Sequence, residues 1–311
     1  MRYGFGVDLG GTTVKIAYFD ERGTLLSKWE IPTITENNGE KVLPDIAASV
    51  LSCIKENNIS VDDVLGIGIG VPGAVDRNGV VAGCDNLGWG RTDVQTVLKD
   101  LTGLPVKAGN DATVAALGEC WKGSGNGCDN MVFITLGTGV GGGIIIDGKP
   151  LYGMSGAAGE IGHIVLNRSE TRTCGCGKRG CVEQYCSATG IVRMAKDYLE
   201  QNPVESALRG PDAITCKDVF RAAEDHDAAA ITVLEQVYAY MAEFIANICA
   251  VVNPDKIVIG GGVSKAGQPL LDGIKRYIGR CIYHAAADVK FELASLGNDA
   301  GVYGAVKLIL E

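Results

Sequence analysis

Four absences bound what this 311-residue chain can be. No apolar run reaches the roughly 20 residues needed to span a bilayer, which argues against a membrane-embedded helix. Excess basic charge is missing too. The chain has 37 acidic against 28 basic side chains, a net charge of −9, and so lacks the broad cationic face of a nucleic-acid-binding protein. The opening residues, MRYGFGVDLGG, have none of the charged, apolar and small-residue zones of a secretory signal. The cysteines do not suggest pairing either: there are eleven, an odd number, scattered in apolar settings such as Ala246-Asn-Ile-Cys249-Ala-Val. Reduced thiols in a cytoplasmic protein are therefore expected, not a disulfide scaffold. What is present, 46% hydrophobic and 21% charged residues, is the composition of a soluble globular protein. Its length exceeds the usual size of one core, so two domains are expected.

The chain opens with Tyr3-Gly-Phe-Gly-Val-Asp-Leu-Gly-Gly-Thr-Thr-Val-Lys-Ile-Ala-Tyr-Phe-Asp20, which reads as strand, glycine turn, strand. Glu21-Arg-Gly23 then closes a hairpin into a strand over 24–31. Val42, Ile46, Val50 and Ile54 recur at helical spacing and predict a helix over 40–57. An apolar strand from Val64 to Ile69, a helix over 92–102, a strand over 105–108 and a helix opening at Asn110-Asp111 follow. The pattern restarts at Met131. Leu9-Gly10 matches Leu136-Gly137, and Asp20 matches Asp147 at the same interval, so the two halves read as an internal duplication. Helices over 188–200, 215–225 and 228–252, a strand over 256–259, a glycine turn over 260–264, a helix over 268–282, a strand over 288–294 and a helix over 299–310 complete the chain.

Three glycine patterns are decoys. Gly68-x-Gly70-x-x-Gly73 and Gly137-x-Gly139-x-x-Gly142 match the dinucleotide fingerprint, yet neither opens a helix as that fingerprint must. The stretch from Gly143 to Lys149 imitates a Walker A loop, but Pro150 stands where Ser or Thr is required. Two strand–turn–strand loops remain, Asp8-Leu-Gly-Gly-Thr-Thr-Val-Lys15 and Leu136-Gly-Thr-Gly-Val-Gly-Gly-Gly143. Turns of this kind present backbone N–H groups to an anion, and Thr12, Thr13 and Thr138 add hydroxyl donors. Asp8 beside a phosphate cradle is tolerable where a cation such as Mg²⁺ bridges the two. The alternative for either loop alone is a tight hairpin. Whether Lys15 meets phosphate or a carboxylate is left open by strand alternation.

The segment from Gly153 to Gln184 concentrates the remaining chemistry. It holds Glu160, His163, Cys174, Cys176, Cys181 and Glu183. One histidine and three cysteines at this spacing are the ligand types of a closed tetrahedral zinc site. Intervening glycines let the loop fold back on the metal. With four better ligands present, the glutamates are left to bind something else.

Together these motifs resemble those of the ROK family of sugar kinases, within the actin/hexokinase-like superfamily. The resemblance covers essentially the whole chain. It rests on Asp8-Leu-Gly-Gly-Thr-Thr-Val-Lys15, Gly70-Val-Pro-Gly-Ala-Val-Asp76, Asn86-Leu-Gly-Trp89, Asn110-Asp-Ala-Thr113, Leu136 to Gly143, Gly159-Glu-Ile-Gly-His163, Cys174 to Glu183, Asn253-Pro-Asp and Gly260-Gly-Gly-Val-Ser264. The cysteine signature with Glu-x-x-His upstream is specific to this family, and the closest likeness is to bacterial glucokinases. Cys84-Asp85 and Thr113 depart from the usual residues and bear on sugar selectivity.

The resemblance implies an α/β, actin/hexokinase-like (ribonuclease H-like) duplicated two-domain fold with a central cleft. The expected domains are 1–117 plus 298–311, and 118–297. It implies transfer of the γ-phosphate of MgATP to the C6 hydroxyl of a hexose, most simply glucose, with related N-acetylmannosamine, fructose or allose kinases as the alternative. Asp111 matches the family's general base. Gly73, Asn86, Asn110, Asp111, Glu160, His163 and Glu183 match sugar-binding positions. Asp8, Gly10, Gly11, Thr12, Thr13, Lys15, Gly137, Thr138, Gly139, Gly261 and Gly262 match the ATP side, although the triplet at 260–262 also reads as a plain turn. His163, Cys174, Cys176 and Cys181 match a structural Zn²⁺ site. A homodimer follows from resemblance alone. The family also contains sugar-responsive repressors with a DNA-binding segment ahead of the first glycine loop. Only seven residues precede Asp8 here, so an enzyme is expected, with no nucleic-acid or membrane partner.

Overall fold

The computed structural model describes residues 1–210 and 213–310. Strands β1 (Tyr3–Leu9), β2 (Thr13–Asp20) and β3 (Leu25–Pro32) form the predicted meander. A single turn, α1 (Glu36–Gly39), is interrupted by left-handed Asn37 and Asn38, and leads into α2 (Val42–Glu56). Then come β4 (Val64–Val71), a short ribbon of β5 (Val80–Val81) and β6 (Thr92–Asp93), α3 (Val94–Thr102), β7 (Val106–Asn110) and α4 (Asp111–Lys122). The repeat begins with β8 (Met131–Leu136), β9 (Val140–Ile146) and β10 (Lys149–Pro150). Helices α5 (Glu183–Cys186), α6 (Ala188–Gln201), α7 (Cys216–Glu224) and α8 (Ala228–Val252) follow the cysteine loop. Strand β11 (Lys256–Gly260), α9 (Gln268–Ile278), β12 (Lys290–Leu293) and α10 (Ala300–Leu310) close the chain.

The two five-stranded sheets have the same order, β3-β2-β1-β4-β7 and β10-β9-β8-β11-β12. In the first, β1, β2 and β3 pair antiparallel while β1, β4 and β7 pair parallel. In the second, β9 and β10 are antiparallel and β11 and β12 parallel. The duplication is thus a repeat of topology. Its copies are unequal, since β10 is only two residues long and ends at Pro150, which has no N–H to extend a ladder.

Two compact units divide the chain, one of Met1–Phe133, Gly143–Gly159 and Ser295–Glu311, the other of Ile134–Gly142 and Glu160–Ala294. The expected division at 117/118 falls inside α4, which is one continuous helix. Residues 211, 212 and 311 of the expected domains lie outside the described residues.

In the first unit, alternate residues of β1 and β4 serve opposite purposes. Phe5, Val7, Ile67 and Ile69 join Ile46 and Val50 of α2 and Leu98 of α3 in a fully buried core. Each such side chain contributes roughly 1.5–3 kcal/mol by leaving water. The other face carries glycines because α10 lies directly on it. A Cβ on Gly6 would overlap the carbonyl of Val302, and one on Gly68 that of Ala305. The same closeness governs α4 against α10, where Gly118 faces the Ala300 carbonyl and Gly304 the Val114 carbonyl. In the second unit, α8 is buried along most of its length and packs on α6, α7 and α9. Asp227 caps it, accepting from Ala230 N–H at 3.0 Å. No helix among the described residues is long and apolar enough to cross a membrane.

Candidate functional site

In the first unit the strand-to-helix junction at 110–111 separates two jobs. Asn110 is the N-cap of α4, its Oδ1 accepting from Thr113 N–H at 3.1 Å. Its Nδ2 donates to the Gly73 carbonyl at 3.0 Å and to Asp111 Oδ1 at 3.0 Å. Asp111 Oδ1 also accepts from Ala112 N–H at 2.7 Å, so the carboxylate is fixed in the first turn of the helix. The cap of α4 is thus Asn110, and Asp111 is not required for it. Gly73, Asn110 and Asp111 come together. Asn86 sits exposed in a one-turn helix over 85–87, on a loop anchored by buried Leu87 and Trp89. Burial pushes the neighbouring Cys84 thiol up, and the Asp111 carboxylate adds to the rise.

The β1–β2 turn is the other feature of the first unit. Gly10 N–H closes on the Thr13 carbonyl at 3.1 Å. Thr33 takes up two turn carbonyls, its N–H donating to Thr12 at 2.9 Å and its hydroxyl to Gly10 at 2.7 Å. With those carbonyls occupied, exposed Gly11 and Thr12 present the donor groups an anion needs. Register settles Lys15. It pairs directly with Asp8, so both point the same way, and Lys15 Nζ lies 3.6 Å from Asp8 Oδ2 and donates to the Asn298 carbonyl at 3.3 Å. Burial raises the Asp8 carboxyl, and Lys15 offsets part of that rise. A divalent cation beside this carboxylate would complete the compensation.

In the second unit, the donors of His163, Cys174, Cys176 and Cys181 lie within 4.8 Å of one another. Cys176 and Cys181 sulfurs are 3.7 Å apart, and Cys174 Sγ is 3.7 Å from His163 Nδ1. A tetrahedral ion with Zn–S bonds of about 2.3 Å requires edges of about 3.8 Å, which these two pairs already have, while the remaining separations reach no further than 4.8 Å. Burial first, and neighbouring thiols second, push Cys181 up to about 12. Thiolates this close therefore need a cation to exist together. Gln184, buried, ties the loop from behind: Oε1 accepts from Gly180 N–H at 2.8 Å and Cys181 N–H at 3.1 Å, while Nε2 donates to the Arg172 carbonyl at 3.1 Å. Sequence reasoning passed over Gln184. Its signal was a lone amide in the run Val182 to Cys186.

The glutamates differ from each other. Glu160 is exposed, its Oε2 3.9 Å from His163 Nε2, so the imidazole has one nitrogen toward the sulfurs and one toward Glu160. Glu183 is half-buried and already engaged, Oε2 accepting from Val140 N–H at 3.0 Å. The β8–β9 turn is held much as the β1–β2 turn is. Gly137 N–H closes on the Gly139 carbonyl at 3.0 Å, Ala188 N–H donates to Gly137 at 2.8 Å, and the Thr189 hydroxyl to Thr138 at 2.7 Å. Gly261, at φ +83°, packs on the backbone of Leu136, where a Cβ would come 2.5 Å from the carbonyl oxygen. A close approach within the sheet thus explains Gly261, whereas Gly262, at ordinary φ, has only that same carbonyl near.

Comparison with known proteins extends these local likenesses over the full length. A family model described as ROK family matches residues 4–311. A glucokinase of Halalkalibacterium halodurans is 44% identical over 308 residues, 97% of this chain and 93% of that protein. A glucokinase of Thermotoga maritima is 35% identical over 312 residues, 98% of this chain and 96% of that one. Among solved structures, a ROK family glucokinase from Streptomyces griseus in complex with glucose and AMPPNP is similar at a TM-score of 0.77 and 34% identity, with 98% of each chain covered.

Proposed function

The chain belongs to the ROK family, with its actin/hexokinase-like two-domain fold, and from that premise we propose that it is an ATP-dependent hexose kinase that converts glucose to glucose 6-phosphate. The observation that carries the residue-level reading is the split at the head of α4. Asn110 caps the helix, and Asp111 is held by two N–H donors on one oxygen without being needed as the cap. Asp111 takes the proton of the attacking hydroxyl. Phosphoryl transfer asks little covalent chemistry of a protein and much positioning and charge dispersal. A placed base adds about 10²–10⁴-fold.

Asn86, Asn110, Gly73, Glu160, His163 and Glu183 serve the sugar. Carboxylates and amides suit it, because a neutral polyol offers hydroxyl protons and lone pairs in equal measure. The β1–β2 and β8–β9 turns, with Thr12, Thr13 and Thr138, serve the phosphates of ATP, and Asp8 serves its Mg²⁺. Gly261 and Gly262 lie toward the adenosine. His163, Cys174, Cys176 and Cys181 hold a structural Zn²⁺, which supplies a fixed point for their loop and leaves no open coordination position for chemistry. His163 Nδ1 faces the sulfurs, so Nε2 is the nitrogen left to meet a sugar hydroxyl. The enzyme works in the cytoplasm as a homodimer.

Release of ADP from MgATP is measured with glucose, N-acetylmannosamine, N-acetylglucosamine, fructose and mannose. Glucose is expected to give the highest kcat/KM. A flat response across all five overturns the assignment.

A further inference from the structure

The β8–β9 turn and the cysteine loop share one side chain. Glu183 Oε2 accepts from the N–H of Val140, while Oε1 lies 3.7 Å from the Cys174 thiol. Gly139 is a glycine for the same reason. It is absent from the positive-φ residues, so no special backbone angle demands it, but a Cβ there would overlap the Glu183 carboxylate. On its other side the turn is met by Gly162, the residue before His163, where a Cβ would overlap the Val140 carbonyl. Val140 is thus hydrogen-bonded at its N–H by a residue of the cysteine signature and closely approached at its carbonyl by the residue before His163. Every contact in this chain of four lies within the second unit.

We propose that Glu183 is a positioning residue for the phosphate-binding turn, through which the order of the metal loop sets the affinity for nucleotide. This rests on the reading of the β8–β9 turn as phosphate-binding. A side chain directed at the sugar alone leaves nucleotide binding in the absence of sugar untouched. A side chain that holds Val140 N–H in place does not. The turn must present its remaining N–H groups at one geometry, and losing a charge-assisted hydrogen bond there shifts the coupled equilibrium by about ten-fold or more. Coupling between two sites is reciprocal, so a disturbance introduced on the turn must also be felt by the metal.

The test is calorimetric titration of MgADP, without sugar, into the zinc-loaded protein. Glu183→Ala is expected to weaken MgADP binding by about ten-fold. Glu183→Gln keeps an oxygen that accepts from Val140 N–H and is expected to bind MgADP within about three-fold of wild type, while losing sugar affinity. MgADP binding by Glu183→Ala equal to wild type overturns the proposal, as does an equal loss in Glu183→Gln. If the wild-type protein binds no MgADP, the phosphate-turn reading itself falls and takes the proposal with it. A second variant works from the opposite side. Gly139→Ala pushes on the carboxylate without being a ligand, and is expected to weaken zinc retention against a chromogenic chelator by about ten-fold. Retention equal to wild type contradicts the coupling.

Discussion

Asp111→Asn is nearly isosteric, and its consequences for fold and for turnover can be worked out separately. The oxygen that accepts from Ala112 N–H at 2.7 Å and from Asn110 Nδ2 at 3.0 Å is retained by an asparagine. The cap of α4 belongs to Asn110 and is untouched. What the fold loses is a negative charge in the first turn of a helix, worth roughly 0.3–1 kcal/mol. What a sugar loses is the difference between a charged and a neutral acceptor, about 1 kcal/mol, or about five-fold in Kd. Turnover loses the base. A drop of about 10²–10⁴-fold in kcat corresponds to roughly 2.7–5.5 kcal/mol at about 1.36 kcal/mol per decade. The catalytic effect therefore exceeds both structural effects by a factor of three or so, and the three assays separate cleanly. ADP release gives kcat, calorimetry with glucose gives Kd, and urea unfolding gives stability. Near-wild-type kcat refutes the assignment. A kcat loss matched by an equal loss of stability refutes it equally, because Asp111 would then be a structural carboxylate.

Three further outcomes follow from other parts of the molecule. Cys174→Ser is expected to lose its zinc by metal analysis and, with it, most sugar affinity; metal loss with an unchanged sugar KM would sever the loop from the sugar. Asp8→Asn is expected to abolish MgATP turnover yet raise Tm near neutral pH. The sign follows from linkage: burial raises the Asp8 carboxyl in the folded state, so its favourable contribution is complete below the ordinary value of 3.8 and is lost as pH rises through the raised one. The Tm gain over wild type therefore grows with pH from about 4 upward, and a gain independent of pH would contradict this account. Gly304→Ala forces a methyl toward the Val114 carbonyl of α4 and is expected to cost about 1–3 kcal/mol by urea unfolding; an unchanged midpoint would mean that α4 and α10 are not in close contact.

How much of this was legible in the sequence differs from element to element, for physical reasons. The duplication was, because strand alternation and turn glycines are local and recur at one interval, and the two sheets repeat one strand order. The clustering of one histidine with three cysteines was also legible, since residue type and spacing are written in the chain and the four donors do lie together. Lys15 was not. Only the pairing of residue 15 with residue 8 sets it against Asp8. The fingerprint-like glycines at 68, 70 and 73 were correctly set aside as cofactor motifs, but their reasons are tertiary. Gly68 seats α10, and Gly73 has φ +94° with the Gly83 carbonyl 2.7 Å from where its Cβ would be, whereas a Cβ on Gly70 would make only an ordinary 3.4 Å contact with Val114. The short β5–β6 ribbon has no periodicity long enough to read. Glu183 shows the limit most clearly. Residue type marked it as functional, yet its bond to Val140, 43 positions away, exists only once the sheet has formed.

The claim at the centre is transfer of phosphate from ATP to one hydroxyl of a hexose. ³¹P and ¹³C NMR of a reaction of the protein with glucose and MgATP observes that transfer directly. Glucose 6-phosphate and ADP in equal amounts, with the phosphorus coupled to C6, is the predicted result. Inorganic phosphate and ADP without a sugar phosphate, or phosphate on any carbon other than C6, would contradict it.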